Sequence, residues 1–160
     1  MALLRLRPGL KAGDPAPDFD CPDEQGRRWR LADLRGRWLV LFFYPKDNTP
    51  ICLKEACRFN DDYEDFSRLG AEVLGCSGQG AESHRLFSQA CRLRYRLLTD
   101  QDGSLRRAFK VPDLLGFFPG RTTYLVDPQG LIRFVHDDRV HGDSHPALAL
   151  AALRQAQAAG

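Results

Sequence analysis

Seven consecutive apolar residues, Trp38 to Tyr44, run directly into Pro45. A continuous apolar segment so short and so rich in aromatic residues suits a strand covered on both faces, which predicts a central position in a sheet rather than an edge. Pro45 has no backbone N–H to give the ladder and ends the strand. From Ile51 to Leu69, apolar residues recur at Leu53, Ala56, Phe59, Tyr63, Phe66 and Leu69, in steps of three and four that describe one face of a helix. Thr49 is a suitable N-cap, Pro50 a suitable first helical residue, and Gly70 closes the helix. A buried strand that turns within a few residues into an amphipathic helix begins a layered α/β fold.

The remaining elements are consistent with that start. Residues 8–36 carry Pro8, Gly9, Gly13, Pro15, Pro17 and Pro22, so only short edge strands are expected there, with Asp23-Glu-Gln-Gly26 as a hairpin turn. A strand is predicted at Ala71–Cys76, a helix at Glu82–Arg94, a short extended piece at Leu97–Leu98, a turn at Asp100–Gly103 and one or two helical turns at Ser104–Lys110. Thr122–Val126 and Leu131–Val135 flank Asp127-Pro-Gln-Gly130 and predict a hairpin, after which Ser144 and Pro146 open a final helix. The order implies a mixed central sheet flanked by helices on both faces. No repeat or linker divides the chain, so residues 1–160 are expected to form a single domain.

Charge excludes some functions. With 23 Lys plus Arg against 21 Asp plus Glu, a net charge of +2 gives no electrostatic footprint for nucleic acid. The longest apolar run falls far short of the ~18 residues of a membrane helix. Ala2, Leu3 and Leu4 pass straight into Arg5 and Arg7, without the apolar core of an export signal, so a cytoplasmic protein is expected. The five cysteines, Cys21, Cys52, Cys57, Cys76 and Cys91, then need roles suited to a reducing compartment, where thiols are catalytic, redox-sensing, metal-bound or simply buried.

Cys52 is placed for reactivity. It follows the most buried strand and stands at the start of a helix, where unpaired backbone N–H groups and the helix dipole favour an anion, hence a thiolate. Thr49, three residues before it, brings a hydroxyl, and Pro45 pins the intervening loop. Each also has a plainer reading: Cys52 as a small buried apolar residue, Thr49 as an N-cap and Pro45 as a strand stop. His136, His141 and His145 fall in no recognised ligand pattern with a thiol or carboxylate, so no metal site is expected.

Taken together, Pro45-Lys-Asp-Asn-Thr49-Pro-Ile-Cys52 resembles the peroxiredoxin signature Pro-x-x-x-Thr-x-x-Cys. Phe43 to Cys57 is similar to the peroxiredoxin Q subfamily, also called bacterioferritin comigratory protein. The likeness extends to Gly13-Asp-Pro-Ala-Pro-Asp-Phe19, Val73-Leu-Gly-Cys-Ser77 with Glu82-Ser-His84, and Arg121-Thr-Thr-Tyr-Leu-Val-Asp127. It implies a thioredoxin-like fold with an N-terminal hairpin extension, and a cofactor-free thiol peroxidase acting on hydrogen peroxide and organic hydroperoxides. Cys52 would be the peroxidatic cysteine, Thr49 and Pro45 its pocket, and Arg121 the cation that holds the thiolate and polarises the peroxide. Cys57 would resolve the sulfenic acid, as in the subset with Cys-x-x-x-x-Cys, and Cys91 is a rival, since some relatives resolve from the later helix. Thioredoxin, or a similar dithiol protein, would be the reductant, and a monomer is expected.

Helix geometry adds one consequence, and comparison with the family pattern another. Five residues of helix rise ~7.5 Å and turn by about 140°, whereas disulfide Cα atoms lie within roughly 7 Å. A Cys52–Cys57 bond therefore requires the helix start to unwind. Ile51 and Leu53 stand where the family commonly has Gly and Thr, and Asn48 where it often has Asp, which makes the entrance more apolar; Phe117 and Phe118 could extend that wall toward Arg121.

Overall fold

In the computed structural model, residues 9–113 and 120–159 are described. β1 (Asp20–Pro22) and β2 (Arg28–Arg30) form a small antiparallel hairpin, followed by a 3-10 turn at Leu31–Leu34. The main sheet contains β3 (Trp38–Phe43), β4 (Ala71–Ser77), β5 (Arg96–Thr99), β6 (Thr122–Val126) and β7 (Ile132–Asp137), in the order β5-β4-β3-β6-β7. β3 is the middle strand, parallel to β4 and antiparallel to β6, as its unbroken apolar run requires. α1 (Pro50–Asp61), α2 (Tyr63–Arg68), α3 (Ala81–Cys91), α4 (Ser104–Ala108) and α5 (Ser144–Ala158) complete the chain. This is the thioredoxin-like arrangement that the motifs imply.

Alternation along β3 divides the core. Leu39, Leu41 and Phe43 point to one face, where Trp29, Leu31, Leu34, Leu105 and Phe109 bring in the hairpin, the 3-10 turn and α4. Val40, Phe42 and Tyr44 point to the other, where α1, α2, α3 and α5 deliver Phe59, Phe66, Phe87 and Leu153. Phe42 stacks on Phe59 with ring centroids 4.2 Å apart, which seats α1 across the sheet. Gly75 makes this stacking possible: a Cβ there would stand 2.8 Å from both Phe42 and Leu97.

The structure departs from the expected elements in two places. The helix predicted over 51–69 divides at Asp62, whose carboxylate turns back to Arg58 at 3.6 Å; adjacent Asp61 and Asp62 are poor helix formers. The buried face of α1 is Cys52, Glu55, Ala56 and Phe59, while Leu53 is 37% exposed. Cys21 lies in β1 and is buried, and desolvation pushes its thiol up to about 12. Cys76 is core, as its apolar strand predicts, with its thiol also driven up by burial. Phe117 and Phe118 lie outside the described residues.

Candidate active site

β3 stops before Pro45, and the loop to α1 is pinned by the buried carboxylate of Asp47. It accepts from the Tyr44 hydroxyl at 2.6 Å and the Ser83 hydroxyl at 2.7 Å, while its backbone N–H donates to Gln79. Asn48 takes the left-handed conformation (φ 60°) that Asn tolerates better than most residues. Thr49 occupies the N-cap position, but its hydroxyl donates back to the Lys46 carbonyl at 3.0 Å instead of capping α1. Pro45 is half-buried at the head of this loop. Cys52 is thus the third residue of α1, within the turn whose N–H groups have no helical acceptor.

Cys52 is 2% exposed, and Arg121, immediately before β6, is 3% exposed beside it. The guanidinium divides its fork three ways. Nη2 donates to Cys52 Sγ at 3.0 Å, Nη1 to Glu55 Oε1 at 2.7 Å, and Nε to the Arg139 carbonyl at 3.2 Å. A lysine ammonium could not hold three partners in one fixed plane. Desolvation opposes the charge on Arg121, yet Glu55 and Cys52 outweigh it and hold the pKa above its ordinary value. For Glu55, burial pushes the carboxyl up to about 8 against the pull of Arg121.

Behind Glu55 stands His145, wholly buried. Its Nε2 lies 2.8 Å from the Asp138 carbonyl, which only accepts, so Nε2 carries the proton and Nδ1 receives the Thr123 hydroxyl at 2.8 Å. Glu55 Oε2, 3.5 Å from that same Nδ1, is left without a hydrogen-bond partner. Burial lowers the pKa of His145 to about 4, which keeps the ring neutral. The loop that presents His145 lies tight on α1: a Cβ on Gly142 would come 2.7 Å from the Ile51 carbonyl and 3.0 Å from Glu55 Cβ. His136 bonds Ser144 Oγ at 2.9 Å and His141 faces Asp138 at 3.1 Å, so the three histidines brace this loop. Among the described residues, no group of three or more His, Cys, Asp or Glu could hold a metal ion.

Cys57, half-buried one turn further along α1, is joined by a disulfide to Cys91 at the end of α3, with Cα atoms 5.5 Å apart. Cys52 is a free thiol in an unbroken α1. The structure therefore brings Cys52 and Arg121 together at the head of α1, and places Cys57 with Cys91. Glu55 and His145 were not identified as site residues from the sequence. The signal for Glu55 was a charged residue three positions after Cys52, on the same helix face; nothing local marked His145.

A thioredoxin-like sheet with a buried thiol at a strand-to-helix turn, held by an arginine from the neighbouring strand, defines a thiol-based redox protein fold. The AhpC/TSA family matches residues 12–135, and the chain belongs to that family. It is 40% identical over 137 residues to the chloroplastic peroxiredoxin Q of Oryza sativa subsp. japonica, a match covering 85% of this chain and 63% of that protein. The crystal structure of peroxidoxin BcpB from Mycobacterium tuberculosis superposes with a TM-score of 0.84 at 37% identity, covering 91% of this chain and 97% of that one. Xanthomonas campestris peroxiredoxin Q gives a TM-score of 0.80 at 31% identity, covering 86% and 90%.

Proposed function

We propose that this protein is a thiol peroxidase that reduces hydrogen peroxide and organic hydroperoxides without a cofactor, with Cys52 as the attacking thiolate. The observation that carries this is the Arg121 Nη2–Cys52 Sγ contact of 3.0 Å between two buried groups, at the one cysteine on the helix N-terminus. The thiolate attacks the terminal peroxide oxygen, the O–O bond breaks, and the departing hydroxide or alkoxide takes up a proton. Cys52 is left as a sulfenic acid. Charge developing on the leaving oxygen is met by donors already in place, the effect that is usually largest in catalysis.

Thr49 and Pro45 shape the approach, and Cys57 resolves the sulfenic acid once the start of α1 unwinds. A dithiol protein such as thioredoxin then resets the enzyme. A solved relative is described for the alkyl peroxide reduction activity of Xanthomonas campestris bacterioferritin comigratory protein, which supports organic hydroperoxides as substrates. The proposal includes a monomer working in the cytoplasm. It is tested by following NADPH oxidation with thioredoxin and thioredoxin reductase on adding peroxide: Cys52→Ser abolishes turnover, and a fully active Cys52→Ser rules the assignment out.

A further inference from the structure

We propose that Cys91 is the last member of a three-thiol relay, in which the oxidising equivalent taken up at Cys52 passes to Cys57 and comes to rest as the Cys57–Cys91 disulfide. This rests on the peroxidase reading above. Within an intact α1, the Cα atoms of Cys52 and Cys57 stand ~8–9 Å apart and their side chains point about 140° away from each other. Cys57 and Cys91 are already bonded at a Cα separation of 5.5 Å. Cys57 can therefore bond Cys91 with the active site folded, but can bond Cys52 only with it unfolded.

The end of α3 is held to α1 by contacts that do not depend on sulfur. Asn60 Nδ2 reaches the carbonyls of Cys91 and Arg92 at 3.3 and 3.1 Å, its Oδ1 accepts from Arg94 N at 2.9 Å, and the Tyr95 hydroxyl donates to the Ala56 carbonyl at 2.7 Å. These anchors begin at Ala56, below the turn that must unwind. Cys91 consequently stays beside Cys57 while Cys52 moves.

The sequence of bonds balances at each step. Cys52–SOH and the Cys57 thiol condense to a Cys52–Cys57 disulfide with release of water. The Cys91 thiolate then attacks Cys57 sulfur, forming Cys57–Cys91 and expelling the Cys52 thiolate, with no net oxidation or reduction of the protein. The expelled thiolate leaves α1 free to re-form and returns to Arg121. Refolding of that turn favours exchange in this direction. The external dithiol would meet a half-exposed disulfide rather than a bond at the buried end of the helix.

The test is a single-turnover experiment. Fully reduced protein receives one equivalent of hydrogen peroxide, is quenched in denaturant with an alkylating agent, and its disulfides are mapped by mass spectrometry. In the wild type, Cys57–Cys91 with alkylated Cys52 is the end product, preceded in time by Cys52–Cys57. In Cys91→Ser the Cys57–Cys91 product is lost and Cys52–Cys57 persists, and Cys91→Ala, which removes the hydroxyl as well, gives the same map. In Cys57→Ser no disulfide to Cys91 forms and a sulfenic acid trap labels Cys52. Peroxide consumption that ends at Cys52–Cys57 in the wild type overturns the relay alone, as does a Cys52–Cys91 bond in Cys57→Ser. A wild type that consumes no peroxide overturns the peroxidase reading itself.

Discussion

Removing Arg121 removes two things at once, and the structure shows how to separate them. Arg121→Met strips the 2.7 Å partner from a carboxyl group with no exposure, leaving Glu55 with neither an ion pair nor a hydrogen bond. Deleting one member of a buried pair costs about 3–5 kcal/mol, and at ~2–4 °C per kcal/mol for a chain of this size the melting temperature falls by about 6–20 °C. Arg121→Met/Glu55→Leu removes both partners, and replacing a buried pair by apolar residues of similar volume is often neutral or stabilising by ~1–4 kcal/mol. Activity behaves otherwise. Both variants lack the donor at 3.0 Å from Cys52 Sγ, so both lose kcat/KM for hydrogen peroxide by roughly 10²–10³-fold, the usual cost of a preplaced donor. Stability is read by urea unfolding and turnover by the thioredoxin-coupled assay, below the melting transition of the single variant. A double variant that regains turnover along with stability would refute the reasoning, because Arg121 would then serve the fold and not the reaction.

Three further outcomes follow from other parts of the structure. His145 is held near 4 by burial, below its ordinary ~6.5; its contribution is complete above pH 6.5 and is lost as the pH falls through 4. The stability gap between wild type and His145→Gln should thus narrow by about 1 kcal/mol between pH 7 and 5.5; Glu55 has the opposite sign but is common to both proteins, and an unchanged gap in urea titrations counts against the assignment. Gly75→Ala forces a Cβ to 2.8 Å from Phe42 and Leu97, so it should lower unfolding free energy by ~1–3 kcal/mol, and a neutral variant would show that the sheet yields there. Ile51 and Leu53, each 37% exposed, flank buried Cys52 in α1; Leu53→Thr should lower kcat/KM for cumene hydroperoxide up to ~10-fold relative to hydrogen peroxide, and equal ratios in the two proteins exclude a role in admitting bulky peroxides.

The sheet and the head of α1 were legible because their signals are local. β3 announces itself by an unbroken apolar run, and Pro45, Thr49 and Cys52 lie within a contiguous eight-residue stretch. Arg121 is separated from Cys52 by 69 positions and was singled out only by resemblance to a family. Glu55 was hidden by the periodicity that found the helix. Steps of three and four fit two neighbouring stripes of α1, and a stripe scored by apolar residues selects Leu53 and rejects Glu55, whereas the folded chain buries Glu55 and leaves Leu53 half out. A carboxyl group can occupy that stripe because a guanidinium arrives from another strand to meet it. His145 was obscured likewise: its burial depends on a hydroxyl from β6 and a carbonyl from the preceding loop, neither of which is near it in the helix that carries it.

The thiols show where such reasoning divides between excluding and selecting. Helix geometry alone states that Cys52 and Cys57 cannot be bonded while α1 is intact, because rise and rotation along a helix are fixed. It does not state that Cys57 meets Cys91, 34 residues away. That contact depends on how α3 packs on α1, and the chain at and just beyond the end of α3 is tied there by polar groups that carry no periodic signal: Asn60 reaching the carbonyls of Cys91 and Arg92, and Tyr95 reaching Ala56. A pairing rule within one element can be read from spacing, but a pairing between elements is decided by the side chains that dock them. For that reason Asn60, which touches no sulfur, has more to do with which cysteines bond than the five-residue spacing of Cys52 and Cys57.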